Sequence, residues 1–198
     1  VNAPGTATPQ GSQSFTVTAP SSGGGSTGCC CTTTGGDDLL IKGGSGADTL
    51  TGGSGDDTIS GGQGDDIIRG CSGDDTLSGG KGQDTLRGSS GDDLLKGHTF
   101  HDTLHGGSGD DTLIGGKGHD ILIGGKGSDT FQLSKGNDTI RDFSITNGDV
   151  IDAPNNLNLQ LIQRDDHLLL KDSDHNIKTR LLNINRDDLL SYQPELLG

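Results

Sequence analysis

The sequence predicts an all-β chain built as a parallel solenoid of nine-residue units, with a small antiparallel β cap at its C-terminal end. Three observations predict it. A nine-residue period runs without a gap from Gly43, with copies beginning at Gly43, Gly52, Gly61, Gly70, Gly79, Gly88, Gly97, Gly106, Gly115, Gly124 and, decayed, at Leu133. The sixth position is Asp in every copy: Asp48, Asp57, Asp66, Asp75, Asp84, Asp93, Asp102, Asp111, Asp120, Asp129 and Asp138. The eighth is always large and apolar: Leu50, Ile59, Ile68, Leu77, Leu86, Leu95, Leu104, Leu113, Leu122, Phe131 and Ile140. A unit with one large apolar side chain has nothing of its own to bury it against, so neighbouring units must stack. Positions seven to nine read as a three-residue strand with its middle side chain inward, and the preceding six as a turn. A flexible low-complexity tract would not hold two separate positions in phase through every copy.

Composition says what else the fold needs. Only 27% of the 198 residues are hydrophobic, 37 are Gly, and there is no Trp or Met. Ordering a residue costs about 1–2 kcal/mol of backbone entropy, glycine most of all, so something besides apolar burial must offset it. The net charge is -14, and of the 28 acidic residues only Glu195 is a glutamate. That sign argues against nucleic acid and anionic membrane as partners and for cations. Aspartate suits tight turns and short-range coordination, where glutamate would serve solubility equally well. No apolar run is long enough for a transmembrane segment, and the opening "VNAPGTATPQ" lacks the basic start and apolar stretch of a signal peptide. The chain reads as a processed product or a fragment of something longer.

Three regions follow. Residues 1–35, rich in Ser, Thr, Gly and Pro, read as a linker or stalk with one strand-like run, "SFTVT" at 14–18. Residues 36–152 carry the repeats, led by a partial copy, "GDDLLI" at 36–41, set off by the extra Lys42. Residues 153–198 change character: "LNLQLIQRDDHLLLKD" and "NIKTRLLNINRDDLLSY" alternate well enough for antiparallel strands, with "DSDHN" at 172–176 as their turn. Asp172, Asp174 and Asn176 mimic the start of an EF-hand loop. Ile177 stands where its glycine should be and Asn183 where its bidentate Glu should be, so the segment reads as a turn.

If two nonapeptides make one coil, copy i stacks on copy i+2 at a strand spacing of about 4.8 Å. The aspartates then form two columns, one per edge, and bare carboxylates at that spacing repel unless cations lie between them. A hard divalent ion accepting six or more oxygens fits best, which favours calcium over magnesium, with its strict octahedron, and over zinc, with its softer ligands. The remaining ligands are expected from turn carbonyls at second- and fourth-position glycines: Gly44, Gly46, Gly53, Gly55, Gly62, Gly64, Gly73, Gly80, Gly82, Gly91, Gly107, Gly109, Gly116, Gly118, Gly125 and Gly127. One column has five gaps and the other four, hence about nine ions of Ca2+.

The unit "GGSGDDTLI" at 106–114 resembles the calcium-binding nonapeptide GGxGxDxLx of the repeats-in-toxin (RTX) proteins. The resemblance covers 36–152 and extends loosely into "DTIRDFSITNGDVIDA" at 138–153, which looks like the segment that ends such arrays. It implies a right-handed parallel β-roll, calcium in the turns, type I secretion by a machine that reads the C-terminus, and folding only outside the cell. Cysteine departs from the pattern, because exported RTX chains are usually poor in it. Cys71 takes a turn glycine's place, and it could link to one of Cys29, Cys30 and Cys31 or all four could stay free thiols.

The chain has no HExxH, and its non-repeat sequence is too short and too polar for a catalytic domain, so an enzyme is not expected, and the leading reading is a secreted calcium-binding module. Two alternatives build on the same roll. Thr58, Thr76, Thr112 and Thr130 would form an outward ladder suited to ice or surface binding, interrupted by Leu94, and a self-assembling layer or matrix protein is the other. His98, His101 and His105 raise a minor metal hypothesis, since His101 should lie directly above His119. Copy 97–105, "GHTFHDTLH", is expected to be the weak coil, with His98 and Phe100 where other copies mostly have Gly.

Overall fold

The computed structural model describes residues 15–18, 36, 38–154 and 157–197. Its strands, in chain order, are β1 (Phe15–Thr18), β2 (Leu39–Lys42), β3 (Thr49–Thr51), β4 (Thr58–Gln63), β5 (Ile67–Ser72), β6 (Thr76–Lys81), β7 (Thr85–Ser90), β8 (Leu94–Thr99), β9 (Thr103–Ser108), β10 (Thr112–Gly118), β11 (Ile121–Lys126), β12 (Thr130–Gln132), β13 (Lys135–Ile140), β14 (Val150–Asp152), β15 (Gln160–Gln163), β16 (His167–Asp172) and β17 (Ile177–Leu182). One helix, α1 (Arg186–Tyr192), and a 3-10 turn at Pro194–Leu197 end the chain.

Pairing within the array is parallel and in register at a separation of eighteen. Thr58 faces Thr76 and Ile59 faces Leu77 on one side, while Ile67 faces Thr85 and Ile68 faces Leu86 on the other. Two nonapeptides therefore make one coil. β1, β2, β4, β6, β8, β10, β12 and β14 form one wall and β3, β5, β7, β9 and β11 the other, which β13 joins with its last residues after its first two pair with β10. The chain is an all-β parallel solenoid. Between the walls the eighth-position residues run in two files, one from each wall, none more than 1% exposed.

Three details differ from the sequence reading. Strands in the middle of the array are six or seven residues long, not three, because positions one to three of the following copy continue the ladder: Gly62 pairs Gly80 and Gln63 pairs Lys81. The run at 15–18 is a strand paired parallel to β2, so this part of the expected linker adds a strand to the roll. The rest of 1–35 lies outside the described residues. The run through Tyr192, expected as strand, is helical over 186–192. Asn185 caps it by accepting the Asp188 N–H at 2.8 Å, Asp187 and Asp188 favour the positive end of the helix dipole, and Pro194 prevents continuation.

The tail covers both walls. β17 stacks in parallel on β13, with Ile140 opposite Leu181, and β16 and β15 follow antiparallel as a meander. On the other wall Gln193 Oε1 accepts the Ile151 N–H at 2.9 Å, docking the end of α1 against β14. Leu168, Leu170, Leu181 and Leu189, all buried, supply the apolar mass that the repeats lack. The Asp172 turn is held without metal. Its carboxylate accepts the N–H groups of Asn158, Asp174 and His175. Burial works to raise this carboxyl, but those bonds and His175 Nδ1 outweigh it and bring it down to about 2.

Candidate metal sites

The structure brings the sixth-position aspartates together in the two expected columns. Each buries its carboxylate inside the turn, and from Asp66 on its Oδ1 accepts the N–H of the aspartate one coil earlier: Asp48 N to Asp66, Asp57 N to Asp75, Asp84 N to Asp102, Asp102 N to Asp120, at 2.7–2.9 Å. The other oxygen is the informative one. Oδ2 of Asp66, Asp75, Asp84, Asp93, Asp102, Asp111 and Asp120 is buried with no hydrogen-bond partner. A buried carboxylate oxygen left unpaired costs far more than an ordinary lost hydrogen bond, so seven in register require a ligand or a proton.

Burial is the first cause of the raised pKa of these aspartates from Asp57 to Asp138. At Asp66, Asp75, Asp102 and Asp111 the carboxylates of adjoining coils add to it, while backbone N–H donors oppose it. Asp75 is pushed up to about 8, Asp102 and Asp111 to about 7, and Asp66, Asp93 and Asp129 to about 6. Asp57, Asp84, Asp120 and Asp138 are raised as well.

The first-position glycines show what shape surrounds the unpaired oxygens. A carbon placed on Gly61 would stand 2.2 Å from Asp66 Oδ2 and 2.8 Å from Gly79 O; on Gly97, 2.4 Å from Asp102 Oδ2 and 2.6 Å from Gly115 O; on Gly106, 2.2 Å from Asp111 Oδ2 and 2.7 Å from Gly124 O. One point thus lies near calcium–oxygen distance, about 2.3–2.6 Å, from a carboxylate and from a carbonyl of the next coil. Glycine at position one keeps this cradle open. No three His, Cys, Asp or Glu side chains converge on a metal position among the described residues, so an ion here draws mainly on backbone oxygen. That donor set suits a hard cation of high coordination number.

Of the second- and fourth-position glycines, Gly62, Gly64, Gly73, Gly80, Gly82, Gly91, Gly107, Gly109, Gly116, Gly125 and Gly127 adopt the left-handed φ that a tight turn demands. Gly44, Gly46, Gly53, Gly55 and Gly118 do not. Several of the second-position carbonyls enter the strand ladder, as when Gln63 N donates to Gly44 O and Ser72 N to Gly53 O. In copy 97–105, His98 and Phe100 hold the same left-handed backbone at φ 80 and 83, and so do Cys71 and Ser89 at φ 100 and 96. Asp102 keeps its column bonds at 2.9 Å. The irregularity falls one coil on, at Gly118, where an added carbon would lie 1.6 Å from Phe100 O. Cys71 is disulfide-bonded, and Cys29, Cys30 and Cys31 lie outside the described residues.

Nonapeptide counting missed two carboxylates. Asp149 continues a column beyond Asp129, accepting its N–H at 3.1 Å, but follows it by twenty residues because two extra residues enter near "SITNGD". The pair "GD" before the apolar Val150 and Ile151 is the signal that remained. Asp142 accepts the N–H groups of Gly124 and Gly125 at 3.0 and 2.9 Å. The histidine idea fares otherwise. The rings of His101 and His119 do meet, with centroids 4.8 Å apart, but His101 Nδ1 accepts the His119 N–H, which leaves its Nε2 carrying the hydrogen. The outward Thr58, Thr76, Thr112 and Thr130 stack directly, with Leu94 between Thr76 and Thr112.

The model of the RTX calcium-binding nonapeptide repeat matches the chain in four copies, at residues 42–70, 69–104, 96–131 and 105–140. Together these span 42–140, half of the chain. Among solved structures the chain is similar to the extracellular lipase LipA from Serratia marcescens, with 21% identity and a TM-score of 0.35, over 78% of this chain and 39% of that one. No curated protein matches.

Proposed function

The chain belongs to the RTX calcium-binding nonapeptide repeat family, and from that premise we propose that residues 36–152 form a calcium-loaded module that folds as the metal arrives, outside the cell, within a larger secreted protein. The observation that carries the reading is the column of buried, unpaired Asp Oδ2 atoms, each beside a glycine whose missing side chain leaves room for an ion. Bound calcium would supply positive charge between carboxylates that otherwise repel. The protein's own part is positional. Strand pairing at eighteen residues sets the carboxylate spacing, first-position glycines hold the cradles open, and the 153–198 tail covers the last coil and is the region a type I secretion machine would read. The role is structural, and metal binding is its chemistry.

The nonapeptide columns offer nine gaps, Asp48/Asp66/Asp84/Asp102/Asp120/Asp138 giving five and Asp57/Asp75/Asp93/Asp111/Asp129 giving four. Asp149 adds a tenth. Nine divalent ions would take the net charge from -14 to +4. Calcium titration by calorimetry, with equilibrium dialysis as a check, is expected to show nine or ten ions per folded chain, and saturation at two or three would remove the shared-gap arrangement.

Copy 97–105 is expected to bind most weakly, since non-glycine residues at positive φ cost about 1–2 kcal/mol each. Asp75→Ala should therefore lower calcium affinity clearly more than Asp102→Ala. Equal losses would make this copy an ordinary coil.

A further inference from the structure

The two turn edges of the roll differ in charge. On one edge the fifth position is Asp56, Asp74, Asp92 and Asp110, all exposed and joined as a ladder in which each N–H donates to the Oδ1 one coil earlier. On the other edge the fifth position is Gln83, His101, His119 and Asn137 once past Asp65, and the third position brings Lys81, Lys117 and Lys135, against a single lysine, Lys126, at the far end of the acidic edge. None of these lysines is ion-paired to a carboxylate among the described residues, in a chain of 28 acidic residues. In the middle of this edge stands Phe100, 58% exposed, at φ 83. Glycine would hold that turn without strain, so an exposed phenylalanine there is a local cost with no packing return inside the roll.

We propose that the lysine edge, centred on Phe100, docks the Asp56–Asp110 edge of a second copy of this chain, side by side. Three features select that occupant. The charges are complementary. Both ladders rise by the same strand spacing, about 4.8 Å, so alignment of one rung aligns the rest. An exposed aromatic ringed by charges has the form of an interface anchor. The edges lie on opposite sides of each coil, so the contact is heterologous and each copy keeps one free edge, which makes the assembly open and lateral. The proposal rests on the calcium-loaded roll, whose bound ions would neutralise the inner aspartates and leave the lysine edge net positive.

Sedimentation velocity in excess calcium tests it, with circular dichroism and calcium stoichiometry measured on the same samples. The wild-type chain should associate with rising concentration up to about 100 μM, where a micromolar contact is populated. Lys81→Glu/Lys117→Glu/Lys135→Glu and Asp74→Lys/Asp92→Lys/Asp110→Lys should each sediment as monomers, and an equimolar mixture of the two should associate again. Phe100→Gly should weaken association by about tenfold, the effect of one modest anchor, while raising calcium affinity. A folded, calcium-saturated wild-type monomer overturns the edge contact and leaves the calcium reading standing. Persisting association of the lysine variant, as calcium bridging of two acidic edges would give, overturns it too, and so does a mixture that stays monomeric. A chain that neither binds calcium nor folds in it overturns the underlying reading and the contact together.

Discussion

Excess chelator is expected to unfold residues 43–141 almost completely, and calcium to restore their β content in one cooperative step. The reason lies in how little the array has to hold it together. Each copy buries one large side chain, which stabilises by about 1.5–3 kcal/mol, against nine residues that each cost about 1–2 kcal/mol to order. Hydrogen bonding along the ladder narrows that difference without closing it. Charge widens it: sixteen Asp against eight Lys and Arg leave this segment at -8. Calcium binding is then folding free energy, because an unfolded chain presents no preformed cradle. Far-UV circular dichroism during a calcium titration measures it. An array that keeps its full β signal in chelator would show that the seven unpaired carboxylate oxygens are tolerated without an ion.

Without metal, acid should partly replace calcium. In the metal-free roll the inner carboxyls are raised by burial, Asp75 to about 8 and Asp102 and Asp111 to about 7, while in the unfolded chain they return to about 3.9. A group whose folded pKa is raised favours the fold fully below its unfolded pKa, and that support is lost as pH rises through the folded value. Chelated protein should therefore gain β content on going from pH 8 to pH 5, the reverse of ordinary acid denaturation. Calcium needs the same oxygens ionised, so its binding to the roll folded by acid at pH 5 should release protons, with affinity falling by up to about tenfold per unit below the folded pKa of each carboxyl that must ionise. Binding from the unfolded, already ionised chain at pH 8 should release almost none. Calorimetry in two buffers of different ionisation enthalpy reads the proton count, and zero released protons at pH 5, from chelated protein that has gained β content, would contradict the raised values.

The recurring core and aspartate positions and the antiparallel strands of the tail were legible in the sequence, while strand length and two single features were not. The eighth-position residues Leu50 to Ile140 and the sixth-position Asp48 to Asp138 are buried in the places their period demands, since a stack offers one solution for a recurring residue. Strand length was underestimated because the glycines at positions one and two suggested turn, whereas parallel pairing at eighteen residues extends through Gly62 and Gly80. Asp149 escaped because two extra residues shift it out of phase, and α1 because a short amphipathic helix of seven residues carries almost no periodicity to distinguish it from an edge strand. The shapes of the cradles needed coordinates: that Gly79 O and Asp66 Oδ2 converge on one point is a relation between coils.

The eighteen-residue register makes the interior and the surface count differently. Inside, every nonapeptide supplies one apolar residue and one aspartate, so the core is blind to whether copies are removed singly or in pairs. Outside, loss of one copy would carry every downstream turn to the opposite edge, placing "SGDD" turns above lysines and sending β17 to the wall that β14 now ends. Loss of two would shorten the roll by one rung and leave both edges and the cap in place. Length in this protein is thus a free variable only in whole coils. The parity of the copy number is recorded in surface charge and in the seat of the cap.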